Sequence, residues 1–201
     1  MTTGSRNTIS RELILDTTLE ILDEKGVTGL RLKDLAERLH VTVPNLYRYF
    51  DNREDIIYSA FSASQIAQCE SVIAICREAL PTITDFESFR NALRRFREYS
   101  SVSEGRTRRM VRLQALATLD ERRDAHETIN AIHRAHEAVE GLFSHALSNG
   151  YLAPVASAQI MTLAFRSYLT GLVVADVDPF ITASDGERWG VVETFLEAYR
   201  P

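Results

Sequence analysis

The chain has 201 residues, 45% of them apolar and 25% charged, with a net charge of −5. This composition supplies a real core and argues against wholesale disorder, and the length suits one large domain or a small one joined to a larger. Met1 to Ser10 is polar and offers no signal-peptide core, and the apolar stretch Leu169 to Ala175 is far too short to span a bilayer, so a cytoplasmic protein with no membrane partner is expected.

Apolar residues recur at helical rather than strand spacing almost throughout, which predicts an all-α fold of about nine helices. A first helix is expected over about Thr8 to Lys25, stopped by Gly26. A second runs from Leu32 to Leu39, with Leu32, Leu35, Ala36 and Leu39 on one face. A third, short helix runs from Val43 to near Tyr49. Asn52 caps a long fourth helix, with Asp55 placed as in a capping box. Further boxes at Thr84/Glu87 and Ser184/Glu187 mark later starts, giving helices at about 53–79, 85–101, 106–118, 121–148, 155–175 and 185–199. Gly150 closes the longest, and Pro154 helps to open the next. Two domains are expected, 1–52 and 53–201, joined through the helix from Asn52 without a flexible linker.

Cys69 and Cys76 stand seven positions apart. On one helix that is about 10 Å of rise, beyond the roughly 7 Å between Cα atoms that a disulfide tolerates. Buried thiols on a stripe with Val72 and Ala79 are the plain reading, and a redox pair is the alternative.

Residues 32–50 fit a helix-turn-helix, two short helices joined by a tight turn with the second free to enter a major groove. Thr42 is suited to cap the third helix, Val41 and Leu46 stand as a hydrophobic staple, and Pro44 falls in a first turn where no amide is missed. With Leu46 and Phe50 turned inward, Val43, Pro44, Asn45, Tyr47 and Arg48 are left outward. Asn45 can bond adenine, Arg48 guanine or phosphate, and Val43 or Pro44 a thymine methyl. Tyr47 and Tyr49 suit phosphate contacts, and Arg53 adds a cation beside them. Bulk charge does not support this reading, because residues 1–60 hold eight basic against ten acidic side chains. Only residues 27–53 reverse the sign, with five against three. By pattern, a three-helix packing unit with no nucleic-acid role is an equal reading.

The run from Gly26 to Arg53, with its Leu46-Tyr47-Arg48-Tyr49-Phe50 core and Val43-Pro44-Asn45 triplet, resembles the signature of the TetR family of bacterial regulators. The resemblance implies a ligand-responsive transcriptional regulator, a repressor with an activator as the alternative, that binds palindromic operator double-stranded DNA as a homodimer. It implies that Lys33, Thr42, Pro44, Asn45, Tyr47, Tyr49 and Arg53 sit at DNA-contact positions. Two residues depart from the pattern. His40 replaces the usual turn glycine, and Arg31 replaces a capping Ser or Thr while adding a charge within reach of phosphate.

The C-terminal helices are expected to bind an unidentified small-molecule effector and to dimerise. Asn149 to Pro154 resembles the family's junction into the first dimer helix, and Ile160, Leu163, Ala164 and Gly171, with Phe195 and Leu196, are the expected interface; an intramolecular core is the rival reading. Tyr99, Arg112, His136 and Phe165 are candidates to line an effector pocket. His126, His133, His136 and His145 share one helix, and the first three span roughly 15 Å, too far for one metal ion. Metal sensing by a pair of them, a polar anchor for an organic ligand and a satisfied core histidine are the alternatives, and no metal or other cofactor is assigned. Arg90 to Arg112 carries eight arginines against two glutamates, either an anion-attracting patch or a solvated face paired with Asp120, Glu121 and Asp124. No nucleophile with its base, metal motif or phosphate loop appears, so an enzyme is not expected.

Overall fold

The computed structural model describes residues 9–100, 125–175 and 184–201, apart from the side chains of 98–100, 173–175 and 185. These residues form eight α-helices and no strand. They are α1 (Arg11–Gly29), α2 (Leu32–Arg38), α3 (Val43–Leu46), α4 (Arg53–Ala79), α5 (Phe86–Ser100), α6 (Ala125–Ser148), α7 (Ala158–Ala175) and α8 (Asp185–Glu197). The expected helix at 106–118 lies outside the described residues. Internal packing divides the chain into two units, one reaching Gln65 and the other starting at Ile66, so α4 passes from one into the other.

In the N-terminal unit, α1 starts one turn later than expected because Ser10 is its cap, accepting from the Leu13 amide at 3.1 Å. Gly26 has φ 71°, which breaks the helical path where expected, although a last turn reaches Gly29. Ile14, Ile21, Leu22, Leu35, Leu46, Ile56 and Phe61 share one core. Thr17 and Thr18 enter it at little cost, because their hydroxyls donate to the carbonyls of Leu13 and Ile14 at 2.8 and 2.7 Å. The Asp55 amide donates to the Asn52 side chain at 2.8 Å, while the Asp55 carboxylate accepts from the Asp51 amide rather than from Asn52.

The C-terminal unit is organised by aromatic rings. Phe143 of α6 meets Phe89 of α5 and Phe165 of α7 edge-on at 5.3 and 6.0 Å, and Phe96 meets Phe165 at 5.6 Å. The α5 cap is shifted by one residue from the Thr84/Glu87 box. Asp85 accepts from the Ser88 amide at 2.7 Å, and Glu87 is drawn instead to Arg90 and Arg200. Ser184 and Glu187 form the expected box. Gly150, at φ 73°, closes α6 with the Tyr151 amide donating five residues back to Ala146. Ser157, not Pro154, opens α7, its hydroxyl accepting from the Ile160 amide at 3.3 Å.

The buried stripe of α6 runs through Thr128, Ala131, Ala135, Val139, Leu142 and Ala146. His136 and Ile132 flank it, half-buried. The described arginines of α5 are largely paired: Arg90 with Glu197 at 3.0 Å, Arg94 with Glu193 at 2.6 Å and Arg95 with Glu78 at 4.0 Å. Asp120, Glu121 and Asp124 lie outside the described residues.

Cys69 and Cys76 are free and buried. Burial pushes the Cys76 thiol up to about 12, so it stays protonated until strongly alkaline pH. Ellman's reagent at pH 8 is therefore expected to leave Cys76 untouched in the folded protein and to titrate it fully in urea. Rapid reaction of the folded Cys69→Ala variant would contradict this.

Candidate nucleic-acid interface

The turn between α2 and α3 is built on backbone hydrogen bonds. The His40 amide donates to Glu37 and the Val41 amide to Ala36, at 3.1 and 2.9 Å, the paired closure that places one residue in the left-handed region. That residue is His40, at φ 55°. Arg31 precedes α2 with an extended backbone and no side-chain cap, so the hydroxyl of a Ser or Thr is missing there.

α3 is only one turn long. Beyond Leu46 the chain tightens, with the Arg48 and Tyr49 amides donating three residues back, at 3.4 and 3.0 Å, so the expected helix to Tyr49 finishes in 3₁₀-like turns. At its start Thr42 stands at the N-cap as expected and forms a capping box with Asn45. The Asn45 side-chain oxygen accepts from the Thr42 amide at 3.4 Å and from the Thr42 hydroxyl. Leu46 and Phe50 are buried, and Val41 packs on the same core. Pro44, Tyr47, Arg48 and Tyr49 are exposed, and Val43 and Asn45 are half-buried. Tyr47 is 51% exposed and Tyr49 36%.

Three side chains have structural work that the sequence did not disclose. The Arg53 guanidinium donates to the Leu30 carbonyl at 2.9 Å and to the Val27 carbonyl, holding the α1–α2 connection, and it also meets Glu54 at 3.2 Å. The Tyr49 hydroxyl donates to the Ile9 carbonyl at 2.6 Å. Arg38 clasps Glu24 with two bonds, at 2.9 and 2.7 Å, which holds the Glu24 carboxyl below its ordinary range. Lys25 likewise holds the Asp34 carboxyl below its usual range, at 2.9 Å. Lys33 keeps only a loose contact with Glu37, 3.7 Å. Arg48 forms no ion pair among the described residues. Partners 14 and 40 positions apart carry no spacing signal, which is why sequence reasoning missed them.

In the C-terminal unit the expected residues scatter. Ile160 and Leu163 are 54% and 56% exposed on α7, with Ala164 and Gly171 exposed beside them. Phe195 is half-buried against Tyr199, and Leu196 lies inside the chain's own core, while Val191 is the exposed apolar residue of α8. Phe165 is sealed among aromatic rings, and His136 faces Glu140 at 3.6 Å. Arg112 and the Tyr99 side chain lie outside the described residues. A cleft of about 540 Å³ is lined by Arg94, Arg97, Trp189 and Glu193 with two glycines, and none of the expected pocket residues is among them. His145 meets the Ile83 carbonyl at 3.1 Å. No cluster of three metal-ligating side chains occurs among the described residues, and no described helix is long and apolar enough to cross a membrane.

Residues 14–60, which hold this turn and both flanking helices, match the N-terminal domain of the bacterial regulatory proteins of the tetR family. Over these residues the chain carries a tetR-type N-terminal domain. The class C tetracycline repressor of Escherichia coli is 41% identical over 51 residues, 25% of this chain and 23% of that protein. The chain matches less than half the length of its curated relatives. A transcriptional regulator from Saccharomonospora viridis, solved with choline, superposes with a TM-score of 0.73 over 93% of this chain and 95% of its own, at 19% identity. A TetR-family regulator from Mesorhizobium loti gives 0.72 over 98% and 100%, at 14% identity. At such identities the structural likeness establishes the fold. The fold shared with these two proteins thus extends beyond residues 14–60.

Replacing His40 tests the departure from the family's glycine. His40→Gly is expected to leave stability unchanged or raise it by up to about 1 kcal/mol, whereas His40→Val, β-branched at positive φ, is expected to lose about 1–2 kcal/mol, read by urea unfolding. Arg53→Gln removes a charged donor from two carbonyls and should cost about 1.5–3 kcal/mol in the same measurement. An unchanged midpoint would deny Arg53 its clasp.

Proposed function

We propose that this chain is a ligand-responsive transcriptional repressor. A homodimer binds a palindromic operator in cytoplasmic double-stranded DNA, and a small-molecule effector releases it. The observation that carries the reading is the exposed Tyr47–Arg48 pair. It stands on a segment anchored by buried Leu46 and Phe50, and neither side chain is engaged in a hydrogen bond or ion pair among the described residues. An exposed phenol and an uncommitted guanidinium on a rigid turn fit the backbone and edges of a duplex.

Within this reading Arg48 and Asn45 contact bases, with Val43 and Pro44 against a thymine methyl. Arg31, Lys33, Thr42, Tyr47, Tyr49 and Arg53 hold phosphates, with Tyr49 and Arg53 also buttressing the unit through Ile9, Val27 and Leu30. The operator-binding part is 1–52 and the effector-binding and dimerising part 53–201. Ile160, Leu163, Ala164 and Gly171 form the subunit contact, Phe195 lies at its edge, and Leu196 supports it from the core. Tyr99, Arg112, His136 and Phe165 border the effector site. A ligand shifts the regulator only by its different affinity for the two states, and α4, continuous through both units, is the covalent lever. No enzymatic step is proposed.

Selecting binding sites from random duplexes with the purified protein is the test. A palindromic motif is expected, with affinity falling steeply as salt rises because phosphate contacts release counterions. Tyr47→Ala and Asn45→Ala should lose the motif while remaining folded. Absent or salt-insensitive binding would refute the reading. Leu163→Glu should convert the dimer to a monomer in light scattering, and an undisturbed dimer would move the contact elsewhere.

A further inference from the structure

α7 has two evident faces and a third, narrower one between them. Ile160, Leu163, Ala164 and Gly171 are exposed, and Met161 and Phe165 are packed in the core. Thr162 and Arg166, one turn apart and therefore on one side of the helix, stand at the border. Thr162 has no exposed surface, and its hydroxyl has no hydrogen-bond partner. Arg166 is half-buried, and among the described residues no carboxylate, carbonyl or hydroxyl receives its guanidinium. Burial disfavours its cation, and the group acting in its favour is the sulfur of Cys69 on α4.

Such an arrangement is costly. A guanidinium cannot escape desolvation by losing its proton, and a buried hydroxyl left unpaired forfeits its hydration without return. Native interiors hold few such groups, and each calls for an explanation. The planar fork of donors on Arg166 matches a carboxylate, which accepts two parallel hydrogen bonds. Its setting matches an apolar body. Cys69 packs with Ala131 and Ala135 of α6, and Ile66, Ile73 and Ile132 flank them. One guanidinium suits one negative charge.

We propose that Arg166 and Thr162 form the head-group anchor for a monocarboxylate with an aliphatic body. This rests on the ligand-responsive reading above and names the chemical class of its effector. The fork of Arg166 receives the carboxylate, the Thr162 hydroxyl contributes a further hydrogen bond, and the aliphatic body lies along the Cys69 cluster.

The test is calorimetric titration of the full-length protein with sodium octanoate and with its neutral counterpart, 1-octanol. Wild type is expected to bind octanoate at least about tenfold more tightly, as a charge-assisted bidentate pair provides. Arg166→Gln should bring octanoate down to the affinity of octanol. Arg166→Lys, which keeps the charge but not the fork, should retain part of the preference, and Thr162→Val should weaken octanoate more than octanol. Circular dichroism checks that each variant folds, and if Arg166→Gln does not, the wild-type preference and Arg166→Lys decide. Equal binding of both compounds, binding of neither, or a preference untouched by Arg166→Gln overturns the proposal. So does a wild type without preference whose Arg166→Gln variant falls apart to monomers, which assigns the arginine to the subunit contact. Operator release is measured separately. Octanoate bound through Arg166 without release upholds the site and refutes the ligand-responsive reading, whereas release that persists in Arg166→Gln refutes the site alone.

Discussion

Burial of Leu46 and Phe50 is the constraint on which the candidate interface depends. Once these two side chains join Ile21, Leu35 and Ile56 in one core, the rotation of the segment between them is settled. Tyr47 and Arg48 then have nowhere to go but outward. The turn before it must bring Val41 onto the same core, and it does so by placing His40 in the left-handed region. A residue other than glycine there carries backbone strain, which the paired hydrogen bonds around it hold in place.

Charge acts second, and mostly inside the chain. Arg38 is spent on Glu24, Lys25 on Asp34, and Arg53 on carbonyls of the α1–α2 connection. The local excess of basic residues between 27 and 53 is therefore smaller, as seen by a partner, than a count suggests. Arg48 stands apart because nothing among the described residues neutralises it, and a single uncommitted guanidinium on a rigid turn says more than net charge. An acidic protein can present such a face because Coulomb attraction is local on the scale of the Debye length, about 8 Å at physiological salt.

In the C-terminal unit α7 separates three tasks by rotation about one axis. Met161 and Phe165 serve the core, Ile160 and Leu163 are exposed, and Thr162 with Arg166 lies between. Helical periodicity makes this division possible, since residues three and four apart share a side while their neighbours do not. The ion-pair chain from Arg94 and Arg90 through Glu193 and Glu197 to Arg200 joins α5 to α8 and the last residues of the chain. It pairs Arg90 and Arg94 of α5 within the chain.

By itself the sequence determined the helical class, the turn at 40–42, the stops at Gly26 and Gly150 and the outward Pro44, Tyr47 and Arg48. All of these are local: they follow from apolar spacing, from backbone conformations that few residues tolerate, and from side chains within a turn of one another. Only the tertiary structure decided what distant residues do to each other. It gave Arg53 and Tyr49 to backbone carbonyls, moved Leu196 into the core, turned His136 to the flank of α6 and left Arg166 without a hydrogen-bonding partner among the described residues. Such outcomes depend on which helices pack together, and the period within one helix carries no information about its neighbour's register. The helix-turn-helix was legible because its residues are contiguous. The candidate effector anchor was not, because Arg166 acquires its meaning from Cys69, nearly a hundred positions away.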